Sequence, residues 1–197
     1  MTHGGGPSAA TQTLARPAAT ETNHAGVKVR PYRPADHNAC RRLWGELVEH
    51  RAELYPRGGP TDGNRGRTDA SAGFEEYLTR LDLSGLWVAD SADGVVGFIG
   101  LTLDGSAAAI DPVIVTRRRR GHGIGRALLS TVASEARRRN LAQLTVSPSA
   151  RDHAALRSLR SAGFAAVTSV TLTFALRGGQ SSATDEQLDL AGLRFHA

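Results

Sequence analysis

The residues best placed to do chemistry are Arg120-Gly121-His122-Gly123-Ile124-Gly125-Arg126, which follow the apolar run Val113-Ile114-Val115 and open the amphipathic stretch Ala127-Leu128-Leu129. That order reads as strand, glycine turn and helix. Glycines at 121, 123 and 125 let backbone N–H groups approach a ligand with no Cβ in the way, and the head of the helix adds unpaired N–H donors and a partial positive charge. The chemistry implied is anion binding, of a phosphate or pyrophosphate. Arg117-Arg118-Arg119-Arg120 lies directly against the turn and supplies guanidinium groups for the same anion.

The turn is not that of a nucleotide-hydrolysing loop. A Walker loop requires Gly-x-x-x-x-Gly-Lys-Ser/Thr, and the only lysine is Lys28; Gly121-x-Gly123-x-Gly125 also lacks the Gly-x-Gly-x-x-Gly spacing of a dinucleotide fold. What remains, Arg120-x-x-Gly123-x-Gly125 between strand and helix, resembles the acyl-coenzyme A loop of the GNAT N-acetyltransferase superfamily. Two flanking patterns extend the resemblance over residues 27 to 176. Downstream, Leu144-Thr145-Val146, the Ser147-Pro148-Ser149 loop and the stretch Asp152 to Ala162 ending in Gly163-Phe164 look like that family's second cofactor motif. Upstream, Leu86 to Asp90, a turn at Asp93-Gly94 and Val95 to Leu101 form a hairpin pattern of the kind the family places before its cofactor strand.

The resemblance implies an α/β fold with a central mixed twisted sheet flanked by helices. It also implies direct transfer of an acetyl group from acetyl-CoA to a primary amine of a small molecule or peptide. By position, Val113 and Val115 would pair with the pantetheine arm, and Arg120, Gly121, His122, Gly123, Ile124, Gly125 and Arg126 would hold the pyrophosphate. An N–H near Val115 would polarise the thioester carbonyl. Asp111, four residues before Val115, is the catalytic candidate, where some members carry a carboxylate aimed at the acceptor amine. A free Asp titrates near ~3.9, so it needs a raised pKa or a water relay. The chain departs from the family in two places: Leu159 stands where many members have a tyrosine that protonates the thiolate, and Asp152 where many have an asparagine. Asp152 is expected at the cofactor, or as a helix cap in its place.

The elements that must position these residues are legible in outline. Residues 1 to 26, rich in Gly, Ser, Ala, Thr and Pro, read as a disordered leader with neither the basic n-region nor the apolar h-region of a signal peptide. A strand at Val27 to Val29 leads through Pro31 to Pro34 into a helix capped by Asp36 and running toward His50. Residues 56 to 73 read as a loop, and a helix covers Phe74 to Leu81. The cofactor strand spans Ala108 to Val115, and Pro112, lacking an N–H, should mark a bulge or an unpaired edge. The helix Ile124 to Asn140 buries Ile124, Leu128, Val132 and Ala136, with Arg137 to Arg139 in its last turn as a structural feature. A strand at Leu141 to Val146 follows, then a helix capped by Asp152. Alternation at Val170, Leu172, Phe174 and Leu176 predicts a last strand, and residues 177 to 197 a weakly ordered tail.

Composition narrows the class. The chain has 197 residues, 40% hydrophobic and 22% charged, enough for one domain of residues 27 to 176 with a sizeable core. The net charge of +5 comes almost wholly from arginine, an Ala, Gly and Arg bias that makes nucleic acid a poor candidate partner. The one cysteine, Cys40, excludes an intramolecular disulfide, fits a reducing, cytoplasmic compartment, and reads as a buried helix thiol. No stretch reaches the ~18 to 20 apolar residues of a membrane span, and no His-x-x-x-His or similar cluster indicates a metal. His50 borders the acceptor side, while His122, inside the turn, reads as exposed. Three alternatives stay open: a coenzyme A-binding regulator without turnover, a basic nucleic-acid-binding domain, and a transferase for a longer acyl chain. The acceptor's identity and the oligomeric state, a homodimer included, are not readable from the residues.

Overall fold

A computed structural model describes residues 22–24, 26–55, 73–81, 83–172, 187–190 and 192–196. Six strands form one sheet in sequence order: β1 (Thr22–His24), β2 (Val27–Pro31), β3 (Leu86–Ser91), β4 (Gly94–Asp104), β5 (Ala107–Val115) and β6 (Gln143–Val146). All neighbours are antiparallel except β5 and β6, which run parallel through the connecting helix α3 (Ile124–Arg138). A parallel pair needs such a crossover, whereas β3 and β4 close through a short turn at Ala92-Asp93, one residue before the expected Asp93-Gly94. Helices α1 (His37–Leu54) and α2 (Gly73–Arg80) cover one face of the sheet. There Cys40, Leu43, Phe74 and Tyr77 pack on Leu86, Val88, Phe98 and Ile114. On the other face α3 buries Ile124, Leu128 and Val132 against Val29, Trp87, Ile99 and Ile110, joined by Leu159 of α4 (His153–Ser161). The α3 stripe is the one its periodicity predicts, and Asn140, with φ 56°, ends that segment in the left-handed conformation asparagine tolerates.

Several boundaries differ from the sequence reading. Thr22–His24, inside the expected leader, pairs with β2 across a turn at Gly26; three polar edge residues carry no apolar period to betray a strand. The first helix runs four residues beyond His50. Asp36 stands at its N-cap position but makes no capping bond, because its carboxylate is taken by the buried Arg30 guanidinium at 2.7 and 2.8 Å and by the Arg33 N–H. Arg30 also reaches Asp90 at 2.9 Å, so one guanidinium joins β2, the turn before α1 and β3. The expected last strand is not formed at 170–172: Val170 and Leu172 are 52% and 65% exposed, and alternation without a partner edge makes no ladder. Residues 173–176 lie outside the described residues, as do 1–21 and positions 56–72 of the expected loop. Within the expected tail, Gln187–Leu190 and Leu193–His196 form a separate antiparallel hairpin, β7 and β8, turned at Gly192. Arg138 and Arg139 clamp the buried Glu135 one turn back, which accounts for the second arginine run.

Candidate acetyl-donor cleft

The sheet opens where its two parallel strands part. β5 and β6 pair from Ala107 with Gln143 to Ile110 with Val146; β6 then ends, while β5 continues to Val115 alongside β4 alone. Between these segments the β4 register shifts at Gly100, opposite Asp111 and Pro112, so Pro112 does sit at a bulge. The extra residue changes which face β5 presents: Ala108 and Ile110 belong to the α3 side before it, Val113 and Val115 after it. The bulge is held from below by Tyr77, whose hydroxyl donates to the Asp111 carbonyl at 2.8 Å. Any side chain at Gly100 would collide with that hydroxyl and that carbonyl.

The ladder fixes where the backbone of β5 points. Thr116 N–H donates to the Val96 carbonyl at 2.9 Å, so Gly97 and Val115, and likewise Ile99 and Val113, are non-hydrogen-bonded pairs. Val113 and Val115 therefore turn their N–H and C=O groups away from β4, into the gap left by β6. The Arg120 Nε donates to the Val115 carbonyl at 3.0 Å, which brings that guanidinium to the mouth of the gap.

The glycine turn closes the same mouth. Gly121 and Gly123 have φ of 77° and 81°, the left-handed region where a Cβ is strained, and Gly123 is the N-cap of α3 with no capping side chain. The N–H groups of Ile124, Gly125 and Arg126 thus start the helix without intrahelical acceptors, in the geometry that binds anions. Gly125 is helical and faces β5: a Cβ added there would meet Val115 Cγ2 at 3.9 Å. His122 is exposed and its Nδ1 lies 2.8 Å from the Arg120 carbonyl, so it braces the turn; Arg126 is also exposed.

Asp111 lies at the bulge with its side chain 70% exposed and one oxygen 3.8 Å from the Arg51 guanidinium of α1. Asp152 is the N-cap of α4, its Oδ1 accepting from Ala155 N–H at 2.9 Å and its Oδ2 lying 2.8 Å from His50 Nε2. Burial alone would push this carboxyl up, but the Ala155 N–H, His50 and the field of Arg120 hold it below the usual carboxylate range. Leu159, in the tyrosine's place, is 6% exposed and packs in the core. Arg117 pairs with Glu53 at 2.7 Å and Arg119 lies 3.9 Å from Asp93.

Sequence reasoning missed the α1 side chains that meet the cleft. Glu46 accepts from Thr116 Oγ1 at 2.8 Å and from Arg117 N–H at 2.9 Å. The Tyr55 hydroxyl is 2.8 Å from Ser149 Oγ, and Arg151 both donates to the Leu54 carbonyl at 3.1 Å and lies 4.6 Å over the Tyr55 ring. These partners are separated by 70 to 97 positions, so no local spacing could have announced them. Among the described residues no group of three His, Cys, Asp or Glu is arranged to hold a metal ion, and no helix is long and apolar enough to cross a membrane.

Comparison with known proteins agrees with this geometry. The profile of the Acetyltransferase (GNAT) family matches residues 44–164, more than half of the chain. No curated protein sequence matches it. Among solved structures, the chain is similar to a ribosomal-protein-alanine N-acetyltransferase from Brucella melitensis, with 25% identity, TM-score 0.53, and coverage of 68% of this chain and 82% of that one. A GNAT acetyltransferase from Staphylococcus aureus Mu50 aligns at 20% identity and TM-score 0.56, over 72% and 86% of the two chains. AAC(6')-Iy, solved with a bisubstrate analogue CoA-S-monomethyl-acetylneamine, aligns at 16% identity and TM-score 0.53, over 76% and 97%. With the family profile running from α1 through the parted strands and glycine turn to Phe164, this chain belongs to the GNAT family of acetyltransferases.

Proposed function

We propose that the protein transfers the acetyl group of acetyl-CoA directly to a primary amine of a small molecule or peptide. The observation that carries this reading is the parting of β5 from β6, which turns the backbone groups of Val113 and Val115 into a gap whose mouth is the glycine turn and the head of α3. Acetyl-CoA fits that donor set: an extended amide arm needs strand-like N–H and C=O partners, and a pyrophosphate needs N–H groups unhindered by Cβ atoms. Arg120 and the N–H groups of Gly121 to Arg126 hold the phosphates, and Arg117 to Arg119 flank them. When bound, the cofactor supplies an acetyl group activated as a thioester.

The chain's own groups do the rest. A β5 N–H near Val115, fixed in advance by the ladder, stabilises negative charge developing on the carbonyl oxygen. Asp111, exposed beside Arg51 at the bulge, takes the proton of the incoming ammonium through water, since its carboxylate is in contact with solvent. No hydroxyl stands at position 159, and the buried Leu159 cannot protonate the departing sulfur. A thiol with a pKa near ~8.5 leaves as thiolate with little penalty near pH 8, so water serves. The similar ribosomal-protein-alanine N-acetyltransferase, and the acetylneamine-bearing bisubstrate analogue bound to AAC(6')-Iy, support an amine acceptor for this chain. The free, buried Cys40 supports a reducing, cytoplasmic setting.

The test is thiol release from acetyl-CoA by the purified protein across a panel of primary amines, with mass spectrometry of the acetylated product. Amine-dependent release matched by acetylated product is expected. Coenzyme A binding with no release for any amine would support a regulator instead. Binding that ignores coenzyme A and falls steeply with salt would point to nucleic acid.

A further inference from the structure

Beyond Ile110 and Val146 no strand pairing among the described residues holds the two banks of the cleft together, yet one helix touches both. On the near bank, Glu46 of α1 binds Thr116 Oγ1 and Arg117 N–H, and Glu53 pairs with Arg117. On the far bank, the turn between β6 and α4 is met by His50, Leu54 and Tyr55, through Asp152, Arg151 and Ser149. Glu46, His50 and Glu53 stand at i, i+4 and i+7 and so form one stripe along the helix. The same face of α1 therefore spans the gap.

We propose that His50 is a positioning residue for the acetyl donor: by holding Asp152 from α1, it sets the separation of the banks between which Val113 and Val115 present their backbone groups. The inference rests on the reading above, that this gap is where the acetyl-CoA arm lies. His50 is the member of the seam that reaches the head of α4 itself. Its side chain and that of Asp152 are 23% and 17% exposed, so the bond is largely shielded from water and from salt. An ionised Asp152 can only accept, which makes Nε2 the donor and leaves Nδ1 toward Glu53, 3.9 Å away.

The pairing also accounts for an aspartate at this position. Asp152 serves two donors at once, Ala155 N–H through Oδ1 and His50 through Oδ2. An asparagine has one acceptor oxygen, which the Ala155 N–H would occupy, and could meet His50 only through an uncharged amide N–H and the other imidazole tautomer, a weaker bond than the charge-assisted one. The two residues therefore belong together, although 102 positions separate them. The loop–helix junction they pin carries the far wall of the cleft, and an arm that must bond strand-fashion to β5 is sensitive to shifts of a few tenths of an ångström in that wall.

The experiment uses the full chain and five proteins: parent, His50→Ala, His50→Gln, Asp152→Ala and the double variant His50→Ala/Asp152→Ala, which closes a cycle. Acetyl-CoA dissociation constants are measured by calorimetry, and kcat and KM by thiol release. His50→Ala should raise the Kd and the KM for acetyl-CoA by about five- to tenfold while kcat stays within about twofold, as expected when one shielded hydrogen bond acting at a distance is lost. His50→Gln, which carries an N–H donor of similar reach, should recover most of that loss. Adding His50→Ala to Asp152→Ala should change the Kd by less than about 1.5-fold, because the partner is already gone. Circular dichroism melts confirm that each variant is folded.

An unchanged Kd in a folded His50→Ala overturns the inference, as does full additivity in the cycle. A His50→Gln as weak as His50→Ala, with kcat falling, overturns it in favour of chemistry done by the imidazole itself. A parent that does not bind acetyl-CoA overturns the proposed function, and this inference with it; that result is read from the parent titration alone.

Discussion

Replacing Gly125 by alanine separates cofactor binding from folding. Gly125 is helical, and a Cβ there meets only Val115 Cγ2 at 3.9 Å, an ordinary contact. The fold therefore accepts the methyl group. Alanine also favours the helix over glycine by up to about 1 kcal/mol, which should raise the thermal midpoint by about 2 to 4 °C in a chain of this size. On the ligand side the same methyl stands between β5 and the head of α3, where a pyrophosphate must close on the N–H groups. Losing one charge-assisted hydrogen bond of about 1.5 to 3 kcal/mol weakens acetyl-CoA by about 10- to 150-fold. Gly125→Val should bind more weakly still. Gly121→Ala and Gly123→Ala are the contrast: with φ of 77° and 81°, each should lower the midpoint as well as the affinity, the left-handed conformation costing about 1 to 2 kcal/mol. Circular dichroism melts and calorimetric titration on the same preparations read both quantities. A Gly125→Ala variant that binds within twofold of the parent refutes the reasoning about the turn. So does one that loses affinity only because it unfolds.

Three further substitutions probe the rest of the account. Asp111→Asn should lower kcat by about 10² to 10⁴ without changing acetyl-CoA affinity, and parent-like turnover with an unchanged acidic limb of the pH–rate profile would leave Asp111 as a bulge residue only. Leu159→Tyr puts a larger, polar group into a site 6% exposed; it should destabilise by about 1 to 3 kcal/mol in a denaturant melt with no gain in kcat. Burial pushes the Asp36 carboxyl up, but Arg30 and the Arg33 N–H together hold it below its ordinary range. The stability it contributes is thus present above the unfolded value near ~3.9 and is lost as pH falls through the lower folded value. Asp36→Asn should cost about 3 kcal/mol at neutral pH by leaving the buried Arg30 with Asp90 as its remaining carboxylate, and its acid unfolding profile should be shallower than the parent's; parallel profiles would contradict this.

What the sequence made legible was local. The glycine turn, the α3 stripe, the β3–β4 hairpin, the bulge at Pro112 and the Asp152 cap each depend on residues a few positions apart, and each stands where it was expected. Cys40 is buried as its neighbours imply, and burial pushes its thiol up to about 12, far from reactivity at neutral pH. The misses are long-range or lack a period. Asp36 has the residue type of a cap, but Arg30, six positions before it in the chain and folded onto it by β2, outbids the helix for its carboxylate. Val170 and Leu172 alternate as a strand does, yet alternation says nothing of a partner edge. Glu46 and Tyr55 look like ordinary surface residues until α1 is laid across the cleft, and His50, expected at the acceptor side, gives no sign in the sequence of its bond to Asp152.

In the proposed function, the gap between β5 and β6 receives acetyl-CoA through the backbone of Val113 and Val115 and the N–H groups of the glycine turn. Amide hydrogen exchange, read residue by residue with and without acetyl-CoA, tests this most directly, because it reports on those N–H groups themselves. Saturating acetyl-CoA should slow exchange at Val113, Val115 and Gly121 to Arg126, and leave β1 to β3 unchanged. Exchange that is unaltered at those positions while acetyl-CoA binds, or protection confined to another part of the chain, would contradict it.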